Sequence, residues 1–214
     1  TVEYYKKMSD DLLGNATVNG TYGFNNAYIN YASMRNSGAD IRLSGQILNR
    51  DFKWNATLNY SYNKNTVEQV DFPQKTEGSY LAGIAQEGKP LDYLYSYKWA
   101  GLSANGWPRV FNENGVAVDY KTDMASTLAL VYQGTATAPH YGALINEFSY
   151  KGFSVLTNFT FKMGHKFRVP VIQYEPITEA SQVHQDWENR WRKAGDEAFT
   201  NTPAAPTSVT GLNV

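Results

Sequence analysis

The feature that most constrains the fold of this chain is a strict alternation of apolar and polar residues over an unusually long stretch. The stretch is DFKWNATLNYSYNKN, from Asp51 to Asn65. Its apolar positions share one parity and are Phe52, Trp54, Ala56, Leu58, Tyr60 and Tyr62. The other parity is entirely polar. Because successive side chains of a β-strand point to opposite faces, the stretch predicts a long strand with one apolar and one polar face.

The connections between the predicted strands fall into two length classes. Alternation predicts strands near residues 1–9, 28–48, 52–65, 141–150 and 153–163. Two connections are tight turns, which predict hairpins. The other connections are long and cover residues near 10–27, 66–140 and 164–214. Following the chain up and down places all the long segments at one end, which is typical of an outer-membrane β-barrel and unusual for a compact soluble domain.

A barrel strand that crosses a membrane turns its apolar residues to the lipid and its polar residues to the lumen. The residues expected to face lipid are Ile41, Leu43, Ile47, Trp54, Leu58, Tyr60, Val155, Phe159 and Phe161. Five strands cannot close such a barrel, because the smallest ones use eight. The chain is therefore expected to be a segment of a longer polypeptide, which supplies the neighbouring strands.

Soluble alternatives remain open on the pattern alone, because an antiparallel sandwich also alternates. A soluble carbohydrate-binding β module and a passive porin or adhesin barrel are the two competing interpretations. Nucleic-acid binding is disfavoured by a net charge of −1. No apolar stretch approaches the length of a transmembrane helix.

Aromatic residues in the 66–140 loop are the first candidates for binding. Tyr93, Tyr95, Tyr97 and Trp99 share one parity, so a single strand would present four rings on one face, and Trp107 follows. Such rings suit sugar stacking or a protein interface. The alternative is that they pack the loop's own small core. NENG, at Asn112–Gly115, predicts a hairpin turn within this loop.

The 164–214 loop is predicted to carry one short helix, capped by Thr178 and ended by Gly195. His184, Trp187 and Trp191 would lie on one face of that helix. Trp187 and Trp191 are therefore candidates for contact with the barrel rim or with a partner protein.

Enzymatic and metal-dependent functions find no support in the sequence. His140, His165 and His184 lie far apart and lack any metal-binding spacing. No nucleophile elbow, phosphate loop or pair of carboxylates in a plausible cleft is evident, so the chain is predicted not to be an enzyme and to need no cofactor. A structural Ca²⁺ in a loop stays open, although NENG and DLLGN lack the repeated carboxylates of a calcium loop.

Four phrases resemble the later barrel of SusC/RagA-like TonB-linked outer-membrane transporters. They are VEYYKKMSDDLL, MRNSGADIRLSGQILNRDFKWNATLNYSYNKNTVEQV, YGALINEFSYKGFSVLTNFTFKMGHKFR and ENRWRKAGDE. The second matches the family pattern at Asn36, Gly38, Asp40, Leu43, Gly45, Asp51, Phe52, Trp54, Asn55, Asn59, Ser61, Tyr62, Lys64 and Asn65. The fourth departs from it at Ala194, where proline is common in the family.

The resemblance implies a large antiparallel barrel of the 22-stranded plugged type, in the outer membrane of a Gram-negative bacterium. It also implies energy supplied through TonB, a SusD-like surface lipoprotein as lid, and oligosaccharide or peptide cargo. The plug and the TonB-contacting segment do not occur within these 214 residues.

Overall fold

The computed structural model describes residues 1–17, 21, 23, 26–120, 127–172, 174 and 184–205. Within these residues the fold is dominated by antiparallel strands. The strands are β1 (Val2–Thr17), β2 (Asn26–Asn49), β3 (Phe52–Val70), β4 (Tyr93–Tyr97), β5 (Trp99–Leu102), β6 (Pro108–Phe111), β7 (Ala117–Asp119), β8 (Leu130–Thr135), β9 (His140–Tyr150) and β10 (Phe153–Met163). The helical elements are α1 (Glu77–Leu81) and 3₁₀ helices at Thr127–Ala129, Gln185–Trp187 and Asp196–Ala198. None of the helices in the described residues is long and apolar enough to cross a bilayer.

Five long strands form one antiparallel sheet in the order β1-β2-β3-β9-β10. The predicted all-β antiparallel fold is therefore confirmed. Both predicted hairpins are present, β2 with β3 and β9 with β10. The second closes through Lys151 and Gly152, whose φ angles of 46° and 86° are those of a hairpin turn with positive φ at both central residues.

Two strands are longer than the alternation predicts. β1 continues to Thr17, although the pattern predicts an end near residue 9. The register shifts between Ser9 and Leu12, and Asp11 has a φ of 54°. A bulge of this kind adds a residue to one strand and shifts the parity, so strict alternation cannot be followed through it. β3 likewise continues to Val70, beyond the predicted end near residue 65.

The chain leaves the sheet after Val70 and returns to it at His140. On its return, β9 pairs directly with β3, from Phe52 opposite Tyr150 to Tyr62 opposite His140. The intervening residues are thus an insertion between two neighbouring strands of the sheet.

A small core forms where β3 passes beyond the end of β9. Tyr31, Val67, Val70 and Ala85 are buried there. α1 follows and begins with a capping box, in which the Thr76 side chain accepts from the Ser79 N–H and the Ser79 side chain accepts from the Thr76 N–H. The core and the cap together hold the first part of the insertion in a fixed conformation.

The chain divides into two compact units, although one barrel segment over 1–214 is predicted. The first unit is Thr1–Tyr95 with Tyr132–Lys166, and the second is Ser96–Val131 with Phe167–Val214. The second contains a three-stranded sheet of β5, β6 and β7. β6 and β7 pair across Asn112–Gly115, which confirms the turn predicted from NENG.

Candidate functional site

One face of the five-stranded sheet carries rows of apolar and aromatic side chains. Residues paired across antiparallel strands share a face of the sheet, so the register defines the rows. Three of these rows contain all but one of the residues predicted to face lipid. They are Ile41, Tyr60, Gly142 and Phe161, then Leu43, Leu58, Leu144 and Phe159, and, after an intervening row, Leu48, Trp54, Phe148 and Val155. Contact of this face with lipid stays a prediction.

Ile47 does not pair as the alternation predicts. The register shifts between Gln46 and Leu48, so Leu48 lies opposite Trp54 and Ile47 falls within the bulge. Alternation predicts Ile47 in the row of Trp54, whereas the structure has Leu48 there. The reason is that a bulge adds one residue to only one of two paired strands.

The opposite face of the same strands is mostly polar, and several of its polar side chains hydrogen-bond across the sheet. Thr57 Oγ1 donates to Ser44 Oγ at 3.2 Å, and Asn55 Nδ2 donates to Glu147 Oε2 at 3.3 Å. Arg42 and Asn59 lie opposite each other on this face as well. The sheet therefore separates an apolar surface from one that water can wet.

Aromatic rings border the apolar face at both ends. At the turn end, the Phe148 ring centroid lies 6.0 Å from that of Phe52 and 5.8 Å from that of Trp54. At the loop end, His140 lies 4.9 Å from the Tyr62 ring, and its Nδ1 shares a hydrogen bond of 2.7 Å with the Tyr60 hydroxyl.

The distance between these borders matches the apolar band of a membrane barrel. Phe52 and Tyr62 are ten residues apart on β3. At about 3.3 Å per residue and a strand tilt of about 40°, they are separated by about 25 Å along the membrane normal, the height of the apolar band of such barrels.

A polar side chain, that of Asn146, lies on the apolar face between these borders, opposite Ala56. It is only 8% exposed. Trp54 Nε1 donates a hydrogen bond of 3.1 Å to its Oδ1. This hydrogen bond satisfies the side-chain carbonyl of Asn146. Without a partner, that carbonyl would destabilise the fold, because a polar group removed from water needs a hydrogen bond.

The predicted row of four loop aromatics on one strand face is wrong. β4 ends at Tyr97 and β5 begins at Trp99, and the two strands belong to different sheets. Tyr93 and Tyr95 lie in the first unit, whereas Tyr97, Trp99 and Trp107 lie in the second. Residues of one parity share a face only within one continuous strand. Parity therefore cannot predict a shared face for residues that lie on two separate strands.

Tyr93 is a buried anchor of the loop. It is 2% exposed, and its hydroxyl donates to the backbone carbonyls of Ile84 at 2.5 Å and Ser79 at 3.3 Å. Burial disfavours the phenolate and raises the pKa of Tyr93 to about 12. These contacts favour the loop-core interpretation for this residue over direct binding.

Tyr95 belongs to an aromatic cluster that the sequence did not indicate. Its ring centroid lies 5.0 Å from that of Tyr80 and 5.5 Å from that of Tyr132. The Lys89 ammonium lies 4.5 Å from the Tyr132 ring centroid and 6.0 Å from that of Tyr95. No sequence motif predicts that Tyr132 belongs to this cluster, because Tyr132 lies 37 residues after Tyr95 in the chain.

Two tryptophans of the second unit lie at its surface. Trp99 and Trp107 are 44% and 42% exposed. Trp99 Nε1 donates to Asn201 Oδ1 at 3.1 Å, and the Tyr97 ring packs 6.1 Å from that of Tyr120. These exposed rings remain candidates for binding.

The predicted helix in the last loop is wrong over its described part, His184–Gly195. Its start, from Thr178 to residue 183, lies outside the described residues. A three-residue 3₁₀ helix, Gln185–Trp187, stands in its place. Asp196 Oδ2 accepts from the backbone N–H groups of Arg192 and Lys193 at 3.0 and 3.1 Å, and such local bonds compete with helix formation. Gly195, with φ of 101°, precedes a second 3₁₀ helix.

Trp187 and Trp191 therefore do not form a helical stripe. The Arg190 guanidinium lies 3.8 Å from the Trp187 ring centroid. Trp191 packs over Gly106, and its Nε1 donates to Glu197 Oε2 at 3.0 Å. That hydrogen bond is the main reason that the pKa of Glu197 is lowered. Both rings hold the second unit together.

Metal-ligating side chains are not clustered in the described ranges. No group of three or more His, Asp or Glu side chains there could hold a metal ion. A structural Ca²⁺, which the sequence leaves open, therefore has no such cluster as a candidate site in those ranges.

Comparisons with known proteins agree with this architecture. No family model matches the sequence. The TonB-dependent receptor P39 of Formosa agariphila is 33% identical over 118 residues, which cover 54% of this chain and 11% of that receptor. The RagAB peptide transporter matches with a TM-score of 0.61 and 26% identity, covering 77% of this chain and 18% of that chain. The RagAB peptide importer in its open-open state matches with a TM-score of 0.62 and 24% identity, over 77% and 18%.

The chain thus spans less than a fifth of the length of these relatives. In both sequence and fold, this chain is therefore similar to a β-barrel segment of SusC/RagA-like TonB-dependent transporters.

Proposed function

We propose that this chain forms part of the wall and of the extracellular loops of a TonB-dependent outer-membrane importer. The observation that carries the proposal is the two-faced sheet, whose apolar face is bordered by aromatic rings about 25 Å apart. The similar proteins, a TonB-dependent receptor and a peptide transporter, support import rather than enzymatic catalysis.

The two outer strands of the sheet require partners in such a wall. β1 and β10 are at its edges. In lipid, every backbone N–H and C=O group needs a hydrogen-bond partner within the protein, so a spanning sheet must close into a barrel. We infer that further strands of the same polypeptide complete it.

Oligopeptides or oligosaccharides are the proposed cargo, with a SusD-like surface lipoprotein as lid and TonB as the source of energy. The sequence resemblance supports all three. The peptide importer among the structural matches favours peptides among the two cargo classes. Exposed Trp99 and Trp107 could contact either the cargo or the lid, because aromatic rings suit both kinds of contact.

Fractionation and uptake by the native organism test the proposal. The full-length protein that contains this chain should require detergent for extraction from outer membranes and should migrate differently on gels before and after boiling. A lipoprotein should co-purify with it in stoichiometric amount. A protein that stays soluble without detergent would refute the barrel and favour the carbohydrate-binding module.

Energy dependence separates an importer from a passive porin. Deletion of the gene should abolish uptake of one cargo class when cells are offered defined oligopeptides and oligosaccharides in turn. Collapse of the proton-motive force should have the same effect as deletion. Uptake that survives this collapse would instead support the porin.

A further inference from the structure

A cavity of about 280 Å³ opens along β3 at the point where β9 ends. β9 pairs with β3 only as far as Tyr62 opposite His140. Beyond that point the chain returns to β3 through hydrogen bonds between Val67 and the Gly88–Lys89 segment, of 2.8 and 2.9 Å. The gap between these two contacts is the cavity, and its walls come entirely from the first compact unit.

Two lysines line this cavity, Lys64 from β3 and Lys89 from the insertion. Neither has a carboxylate within 4.0 Å among the residues that the structure describes. Lys89 is fixed in place, because its backbone carbonyl accepts from Val67 and its ammonium lies 4.5 Å from the centroid of the Tyr132 ring. Both ammonium groups are thus available to an anion.

The carboxylate in the lining, that of Asp92, is already engaged. Its oxygens accept from Thr135 Oγ1 at 2.7 Å and from the Thr137 N–H at 2.5 Å. Burial would raise the pKa of Asp92, but the bonds from Thr137 and Thr135 outweigh it and lower the pKa. Asp92 therefore serves to hold the 135–137 turn and is not paired with either lysine.

The cavity lies at a defined height along β3, at the loop end of the apolar face. The register places Tyr4, Ala39, Tyr62, His140 and Met163 in one row, which borders that face at the loop end. The next row outward contains Lys6, Ser37 and Lys64. Asn63 and Asn65, from the other parity of β3, also line the cavity. Positive charge thus begins one row beyond the aromatic border, where the headgroups of a surrounding bilayer would lie.

We propose that this cavity binds the phosphate of an outer-leaflet lipid headgroup through Lys64 and Lys89, while the acyl chains of that lipid lie on the apolar face below. The inference rests on the proposed function, because it needs the apolar face to contact lipid. Ammonium groups form charge-assisted hydrogen bonds with phosphate oxygens. Long lysine stems can follow apolar surface while their charged ends stay at the headgroup level.

Lipid binding to the full-length protein, purified in a nonionic detergent, tests this inference. The probe is a lipid with two phosphates on a diglucosamine headgroup, titrated by native mass spectrometry, and its dephosphorylated form is the comparison. Lys64→Gln and Lys89→Gln should each weaken binding roughly fivefold, the usual effect of one basic residue near a charged lipid surface. The double variant should weaken it about 30-fold, and Lys89→Arg should bind as the wild type does.

Lys162→Gln is the matched control. Lys162 pairs with Tyr141, which belongs to the opposite, polar face of the same sheet, so this variant loses the same charge without touching the cavity. Its affinity for the phosphorylated lipid should be unchanged. Lys64 is an exposed strand residue, so Lys64→Gln should fold and keep the shift in gel migration on boiling even if Lys89→Gln does not.

Three results would overturn the inference. The first is equal binding of the phosphorylated lipid by the wild type and Lys64→Gln. The second is equal binding of the phosphorylated and dephosphorylated lipids by the wild type. The third is full competition by millimolar inorganic phosphate, which would assign the cavity to a free anion. A protein that fractionates with outer membranes and imports cargo while giving any of these results would refute the lipid site and leave the proposed function intact.

Discussion

Replacing Leu58 with Arg is expected to destabilise the folded protein by about 2–4 kcal/mol, the cost of an arginine near the midplane of a membrane barrel. Leu58 pairs with Leu43 on β2 and Leu144 on β9, within the apolar face. It is four residues from Tyr62 and six from Phe52 along β3. With about 3.3 Å per residue and a tilt of about 40°, it lies roughly 10 Å from one aromatic border and roughly 15 Å from the other, close to the midplane.

The measurement is urea unfolding of the full-length protein in lipid vesicles, with folded and unfolded forms separated on gels without boiling. The predicted cost corresponds to a change of roughly 30- to 1,000-fold in the folding equilibrium. Thr57→Arg is the control, since it adjoins Leu58 but lies on the polar face, where its hydroxyl donates to Ser44. Thr57→Arg should lower the free energy of unfolding by only about 1 kcal/mol, which is the contribution of one hydrogen bond.

Met163→Arg tests whether the cost of an arginine on the apolar face falls with distance from the midplane. Met163 pairs with His140 in the row that borders the apolar face, so an arginine there should cost only about 0–1 kcal/mol. The reasoning is refuted if Leu58→Arg and Thr57→Arg are equally destabilising, because the two faces would then meet the same medium. Equal costs at Leu58 and Met163 would refute the assigned depth.

Three further substitutions test particular contacts. Trp54→Phe removes the donor to Asn146 and should cost about 1–3 kcal/mol in the same urea titration, whereas adding Asn146→Leu should restore most of the loss. Tyr93→Phe should remove one phenol that ionises near pH 12, seen as the difference between two alkaline absorbance titrations. Because burial raises that pKa, the stabilisation by the protonated phenol should persist below about pH 10 and fall as the pH rises toward 12 in the wild type alone. Gly106→Ala should dislodge Trp191, since a Cβ there would lie 2.5 Å from its ring at a φ of 76°, and the indole fluorescence should shift toward that of a solvated tryptophan.

Alternation predicted most of the sheet because the long strands repeat with a period of two over many residues. The run from Phe52 to Tyr62 is uninterrupted, and its partner residues on β9 follow from the same parity. The pattern failed at bulges, near Asp11 and Ile47, where one extra residue shifts the parity without any distinctive residue type.

The loops were less predictable because their contacts join residues far apart in the chain. Tyr93 finds its hydrogen-bond acceptors on the α1 side of the insertion, and Tyr132 meets Lys89 across a gap of more than 40 residues. The spacing of residues within a strand or helix cannot predict contacts between such distant parts of the chain. The last loop was predicted as a helix from spacing alone, whereas the carboxylate of Asp196 fixes a turn there through two backbone N–H groups.

The direct pairing of β3 with β9 has a consequence for how such a protein can diversify. The hydrogen-bond register from Phe52–Tyr150 to Tyr62–His140 is complete without the residues that lie between the two strands. The length and content of that insertion can therefore change through duplication, deletion or exchange with a homologue while the wall keeps its register. Under the proposed function, selection for a new nutrient can act on the residues between the two strands separately from selection for membrane integration. Under the proposed function, a peptide grafted between Val70 and His140 would for the same reason be displayed on the surface of the bacterial cell.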